Sequence, residues 1–189
     1  KMIPQQNLKS IIFAGGCFWG VQAYYNRVRG VMATACGYTG GKKEFPKYEE
    51  VCTQSTGHCE AVLVDYDPEQ TNVIKLLDHF FHIVNPTTLN YQKGDTGTHY
   101  RSAIFYYDEE DKKIIEQYID CIKDFYEDKI VTQVLQASDF WPAEDYHQEY
   151  LDNNPDGYCH INYTHFNRIT LIDNYKSNLN TTVKNDQKK

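Results

Sequence analysis

Apolar and polar positions alternate in short blocks along this chain, and glycine or proline separates most of the blocks. Ser10-Ile-Ile-Phe-Ala14 reads as a short buried strand, and Gly15-Gly16 breaks it just before a helical stretch from Gly20 to Val28. Cys17 therefore falls on a strand-to-helix turn. Val31 to Tyr38 is strand-like and runs into Gly37-Tyr-Thr-Gly-Gly41, a loop signal that continues through Pro46. Glu60-Ala-Val-Leu-Val-Asp-Tyr66 is the clearest strand. After Asp67-Pro68, residues Ile74, Leu77, Phe80, Phe81 and Val84 recur at helical spacing on one face, and Asn85-Pro86 ends that helix.

A polar loop from Thr87 to His99 leads into Ser102-Ala-Ile-Phe-Tyr-Tyr107, another strand. Asp108 to Tyr126 predicts a charged amphipathic helix whose acidic opening suits the positive end of the helix dipole. One more strand is expected over Val131 to Ala137 and a short helix over Ala143 to Leu151. Strands interleaved with helices and long glycine-rich loops fit an α+β fold better than a doubly wound parallel sheet. The expected architecture is a two-layer α/β sandwich, ferredoxin-like, with a mixed sheet and long loops. Residues 1–172 read as a single domain, and the polar, aperiodic stretch 173–189 as a flexible C-terminal tail.

Charge narrows the partners. A net charge of -7 without any basic stripe argues against nucleic acid or an anionic membrane, since such partners need clustered Lys and Arg to neutralise phosphate. No apolar run approaches the roughly 20 residues that span a bilayer. A cytoplasmic monomer is the simplest expectation. The six cysteines are too scattered over 189 residues to replace a core, so each is read separately. Cys36 and Cys121 fall at apolar positions and are expected to be buried small hydrophobes. Cys52, His58 and Cys59 suggest zinc only weakly, because no second ligand pair follows, and no metal is expected.

Cys17 carries the strongest chemical signal. A thiol at a helix start faces unpaired N–H groups and the positive dipole end, which favours the thiolate. Taken alone, a small residue needed at a tight turn explains Cys17 equally well. Phe18 and Trp19 shift the balance, because two consecutive large aromatics cannot both enter one core and one should stay near the thiol.

Gly16-Cys-Phe-Trp-Gly20 resembles the catalytic signature of the peptide methionine sulfoxide reductase A family. Further segments resemble that family in the same order: Gly37 to Gly41, Tyr48-Glu-Glu-Val-Cys52, Thr56-Gly-His-Cys-Glu60, Gly94 to Ser102, and Ala143 to Leu151. The match runs from about Ile11 to Cys159, and the resemblance implies that residues 1–172 form a catalytic reductase domain. It implies Cys17 as the nucleophile and Glu60 as the acid that protonates the sulfoxide oxygen. Burial and a nearby thiolate would both keep Glu60 neutral, as a poor leaving oxygen requires. By the same resemblance Tyr48 and Tyr100 hold the oxygen, Asp95 supports substrate hydrogen bonding, Phe18 and Trp19 wall a methyl pocket, and His58 is structural. Cys159, in turn-rich Asn154-Pro-Asp-Gly-Tyr-Cys159, matches the resolving cysteine that condenses with the sulfenic acid left on Cys17. The implied substrate is the S epimer of methionine sulfoxide, free or in peptides and proteins. Thioredoxin is the implied external reductant, with no bound cofactor.

Two departures stand out. Cys59 occupies a position where the family often has a small apolar residue, open to oxidation or to competing as a resolver, and Leu89 to Asp95 is a looser match. Two other classes stay open on residues alone. A cysteine hydrolase or acyl transferase would use a histidine such as His147 to activate Cys17 and would leave Glu60 and Cys159 idle. A non-enzymatic binding protein would hold all its cysteines as structure.

Overall fold

Ile11, Ile12, Phe13 and Ala14 are all fully buried, so strand β1 (Lys9–Ala14) is covered on both faces, as its unbroken apolar run demands. This holds in a computed structural model that describes residues 7–175. Gly15 and Gly16 end the strand: a side chain on Gly15 would meet Val84 Cγ2 at 2.5 Å, and Gly16 adopts φ +85°. Helix α1 (Phe18–Tyr25) starts at once, followed by β2 (Val31–Thr39), α2 (Tyr48–Cys52), β3 (Cys59–Tyr66) and α3 (Val73–Ile83). Asn72 caps α3 by accepting the Lys75 N–H at 2.9 Å. The polar loop then folds into a small hairpin, β4 (Tyr91–Gln92) and β5 (Asp95–Thr96). Strand β6 (Ala103–Tyr106), helix α4 (Glu109–Ile122), strands β7 (Gln133–Gln136) and β8 (Trp141–Pro142), and the short helices α5 (Tyr150–Asn153), α6 (Tyr163–Phe166) and α7 (Ile169–Asn174) complete the described chain.

The main sheet runs β7-β6-β1-β3-β2-β8, with β6–β7 the parallel pair and the other neighbours antiparallel. Its four middle strands with α1 and α3 trace β-α-β-β-α-β in spatial order β6-β1-β3-β2, which is the expected ferredoxin-like α+β plan. Alternation sorts the side chains into two layers. Ile11, Phe13, Tyr38, Val62, Val64 and Ile104 face the helices, whose Val21, Tyr25, Leu77, Phe80 and Ile115 close one core. Ile12, Ala14, Cys59, Ala61, Ala103 and Phe105 form a smaller core on the opposite face with Leu63, Ala137 and Phe140.

Several expected elements change on packing. The helix expected to Tyr126 ends at Ile122 in a single 3-10 turn, Lys123–Phe125, where Phe125 faces solvent and nothing apolar holds a further turn. Cys121 is exposed, contrary to expectation, because Ile115, Tyr118, Ile119 and Ile122 form the inward stripe of α4 and Cys121 falls off it. The helix expected over Ala143 to Leu151 is split by Glu149 at φ 53°. Its backbone N–H donates to Gln22 Oε1 and its carboxylate accepts from Gln22 and Asn26, so contacts with α1 and the residue after it offset the backbone conformation. Asp173 Oδ1 lies 2.8 Å from His79 Nε2 and ties α7 to α3. Beyond Tyr175 the expected tail lies outside the described residues. Among the described residues no helix is long and apolar enough to cross a membrane.

Candidate active site

The register of the central sheet places the acid. Tyr38 and Glu60 are cross-strand partners on β2 and β3, so Glu60 shares the helix-facing side with Tyr38, Val62 and Val64. There it meets the start of α1, where Glu60 Oε1 accepts the Phe18 N–H at 3.2 Å. Glu60 is 2% exposed. Burial pushes its carboxyl up to about 8 against the opposing Phe18 hydrogen bond, with the charge of Asp95 adding to the rise. The group is therefore a neutral acid at pH 7.

Cys17 occupies the cap position of α1 and is almost fully buried. The Trp19 N–H points at its sulfur, as a helix start should provide, yet burial and the neighbouring Glu60 hold the thiol far above its ordinary range. The expected pull of the helix start toward thiolate is present and is outweighed in the resting site. Cys17 makes no hydrogen bond to any histidine among the described residues. His147, the base in the hydrolase alternative, instead uses Nδ1 to accept the Trp19 indole N–H at 2.9 Å.

Aromatic rings build the walls. Phe18 is buried against Tyr38 and His147, while Trp19 is half-buried and stacks on Tyr150 with ring centroids 3.7 Å apart. Tyr48 packs on His147, and Glu144 holds the Tyr48 N–H at 3.1 Å and the Tyr38 hydroxyl at 2.9 Å. Tyr100 ends a short 3-10 turn, Thr98–Tyr100, braced by Arg101, whose guanidinium donates to the Thr98 and Gly57 carbonyls and the Gln133 side chain. Burial pushes both Tyr48 and Tyr100 up, and for Tyr48 a hydrogen bond to Cys52 adds to the rise, so both phenols stay protonated.

The second thiol lies against α1. A methyl group on Gly20 would stand 3.0 Å from Cys159 Sγ, so the bare glycine makes room for the sulfur one turn beyond Cys17. Both cysteines are free thiols. Asp95, carried on β5, accepts the Tyr158 hydroxyl at 2.9 Å and thereby ties the Cys159 segment to the hairpin.

Cys59 does not join this group. It sits on the opposite face of β3, fully buried, with its sulfur toward the Thr39 carbonyl at 3.5 Å, so it is not placed to compete with Cys159. His58 bridges loops, Nδ1 accepting from Gly41 N–H and Nε2 meeting the Lys43 carbonyl, and both ring nitrogens are occupied. Among the described residues no group of three or more His, Cys, Asp or Glu could hold a metal. Sequence reasoning passed over Glu144 and His160. Glu144 lies within the Ala143 to Leu151 segment, and His160 directly follows Cys159, but neither position reveals its contacts without the fold.

A buried thiol at a helix start, a neutral carboxyl on the same helix start, two phenols and a second thiol along that helix define a thiol-based redox site. Residues 9–179 match the family model of peptide methionine sulfoxide reductase. The chain belongs to the peptide methionine sulfoxide reductase family, whose members are oxidoreductases acting on methionine sulfoxide. It is 51% identical over 154 residues to peptide methionine sulfoxide reductase MsrA of Clostridium acetobutylicum, covering 82% of this chain and 95% of that one. The fold also superposes on methionine sulfoxide reductase A of Corynebacterium diphtheriae, with TM-score 0.79, 33% identity, and 82% and 79% of the two chains covered. A crystal structure of Mxr1 from Saccharomyces cerevisiae in complex with Trx2 matches with TM-score 0.55 and 25% identity over 79% of this chain and 88% of that one.

Proposed function

We propose that this chain, through a single catalytic domain over 1–172, reduces the S epimer of methionine sulfoxide, free or within peptides and proteins. The reading includes a cytoplasmic monomer without bound cofactor, re-reduced by thioredoxin. The observation that carries it is the neutral Glu60 carboxyl, buried and anchored to the Phe18 N–H beside Cys17. A sulfoxide oxygen leaves sulfur only as it gains a proton, and a carboxyl ionised at pH 7 has none to give.

Phe18 and Trp19 receive the methyl group on the oxidised sulfur, and Glu60, Tyr48 and Tyr100 converge on its oxygen, with Asp95 at the substrate side. As Cys17 sulfur attacks, Glu60 gives its proton to the oxygen, and the thiol proton of Cys17 restores the carboxyl. Helix α1 and the Trp19 N–H steady charge on the sulfur during the transfer. The net change moves one oxygen: thiol and sulfoxide become Cys17 sulfenic acid and methionine. Cys159 then condenses with the sulfenic acid, forming the Cys17–Cys159 disulfide and water. A thioredoxin dithiol reduces that disulfide by exchange, a reading supported by the Trx2 complex of a relative.

The test is NADPH consumption coupled through thioredoxin reductase and thioredoxin, on separated S and R epimers of a methionine sulfoxide peptide. Wild type turns over the S epimer, and Cys17→Ser and Cys159→Ser abolish it. Turnover of the R epimer alone, or full turnover in either variant, overturns the scheme.

A further inference from the structure

His160 is buried, and its Nε2 lies 2.9 Å from the Gly15 carbonyl oxygen. A carbonyl only accepts, so Nε2 carries the ring proton and Nδ1 presents a lone pair. Nδ1 is buried and has no hydrogen-bond partner. It faces Asp95 Oδ2 at 4.0 Å, an oxygen that is also buried and without a partner. Unpaired buried groups of this kind are rare in folded proteins and call for a reason.

Cys159 supplies one. A methyl group on Gly20 would stand 3.0 Å from Cys159 Sγ and 3.3 Å from His160 Nδ1, so thiol and imine nitrogen converge on the same bare glycine. In the resting site the thiol points to the Ile161 carbonyl at 3.4 Å. Condensation with a sulfenic acid requires that thiol to lose its proton.

We propose that His160 Nδ1 accepts the Cys159 thiol proton as the Cys17–Cys159 disulfide forms, with Gly15 fixing the tautomer and Asp95 stabilising the resulting imidazolium. The inference rests on Cys159 being the resolving cysteine. The step balances: the S–S bond forms as the S–O bond of the sulfenic acid breaks, Cys159 sulfur is oxidised and Cys17 sulfur reduced. The departing hydroxide takes a proton from Glu60 and leaves as water, and the imidazolium proton returns to the carboxylate through solvent.

The charged and titratable groups around the ring are Asp95, with Tyr158 bound to it, Lys93 and Cys159 itself. Burial keeps the imidazole less basic than usual, and Lys93 adds to that, against the opposing pull of Asp95 and the Gly15 carbonyl. Burial likewise holds Cys159 as a thiol, although the Ile161 backbone N–H and the Arg27 charge oppose it. A neutral base beside a protonated thiol is the arrangement the step requires.

Single-turnover kinetics without thioredoxin separate the two chemical steps. Excess S-sulfoxide peptide is mixed with enzyme, and methionine formed and thiols lost are followed from pH 5 to 10. In wild type the disulfide step speeds up as pH rises through the histidine range. His160→Gln releases methionine at the wild-type rate but closes the disulfide about 100-fold more slowly, the lower end of general-base effects. Its sulfenic acid is trapped by dimedone, and the deficit shrinks above pH 9 as Cys159 ionises unaided. Disulfide closure at the wild-type rate, or an equal fall in methionine release, overturns the proposal. Should His160→Gln not fold, a pH-independent disulfide step in wild type overturns it alone. Failure of the underlying reading looks different: Cys159→Ser would then lose the same thiols as wild type.

Discussion

Replacing Glu60 by glutamine should make the protein both more stable and inactive. The native carboxyl titrates at about 8, against 4.5 for an ordinary glutamate. Between those values the folded chain holds a proton that the unfolded chain has lost. Stability therefore falls as pH rises across that window, by about 1.4 kcal/mol per pH unit, reaching about 3 kcal/mol at pH 7 and levelling near 5 kcal/mol above pH 8. Glutamine has no proton to lose, and its amide oxygen can still accept the Phe18 N–H now held at 3.2 Å. Urea unfolding of reduced wild type and Glu60→Gln at pH 4.5, 6, 7 and 8 measures the difference directly, because every other titrating group is common to both chains. The two should coincide at pH 4.5 and diverge by about 3 kcal/mol at pH 7 in favour of the variant. Methionine formation in a single turnover should fall by roughly two to four orders of magnitude. Parallel stability curves from pH 4.5 to 8 would show Glu60 ionised in the folded protein and refute the neutral-acid argument.

Three further outcomes follow from the same geometry. In wild type, methionine formation should decline as pH rises through about 8, where Glu60 loses its proton, and a rate still climbing at pH 9 would place the acid elsewhere. Gly20→Ala puts a methyl group 3.0 Å from Cys159 Sγ. It should slow disulfide closure several-fold in thiol counting while leaving methionine release intact, helped by the roughly 0.5–1 kcal/mol helix preference of alanine over glycine. Glu144→Gln leaves one carboxamide oxygen to serve the Tyr38 hydroxyl and the Tyr48 N–H, so unfolding should show a loss of about 1–3 kcal/mol and KM should rise. Unchanged stability and KM would mean that Glu144 does not position Tyr48.

Much of this was legible in the chain because local pattern and fold agreed. The Ser10 to Ala14 run, the Glu60 to Tyr66 run and the Ile74 to Val84 periodicity became β1, β3 and α3, since each stripe meets a core wide enough to cover it. What stayed hidden depends on partners distant in sequence. Nothing local marks Glu149 for a left-handed backbone, because the cause lies in Gln22 and Asn26 more than 120 residues earlier. The off-stripe position of Cys121 was readable from helical spacing, but its apolar character masked it. Cys59 and Glu60 show the limit most clearly. They are adjacent in the chain, yet a strand sends them to opposite faces, so one lies in a closed core and the other beside the reacting sulfur.

The same burial that hides Cys17 explains why its thiol is not ionised at rest. A site that excludes water raises the cost of every isolated charge, so it pushes Glu60 and Cys17 toward their protonated forms together. For the acid that is an advantage, since only the neutral carboxyl can protonate oxygen. For the nucleophile it is a penalty, partly offset by the Trp19 N–H at the start of α1. The two requirements reconcile if the thiol proton leaves only while the Glu60 proton moves to the sulfoxide, so that the buried pair never carries two negative charges. A thiolate formed before substrate arrives would add its charge beside Glu60 and raise the carboxyl further, locking the acid. Iodoacetamide should therefore alkylate Cys17 slowly in the free enzyme across pH 6 to 8, even though the enzyme turns over sulfoxide there. Rapid alkylation at pH 6 would instead reveal a resting thiolate and require the helix start to dominate burial.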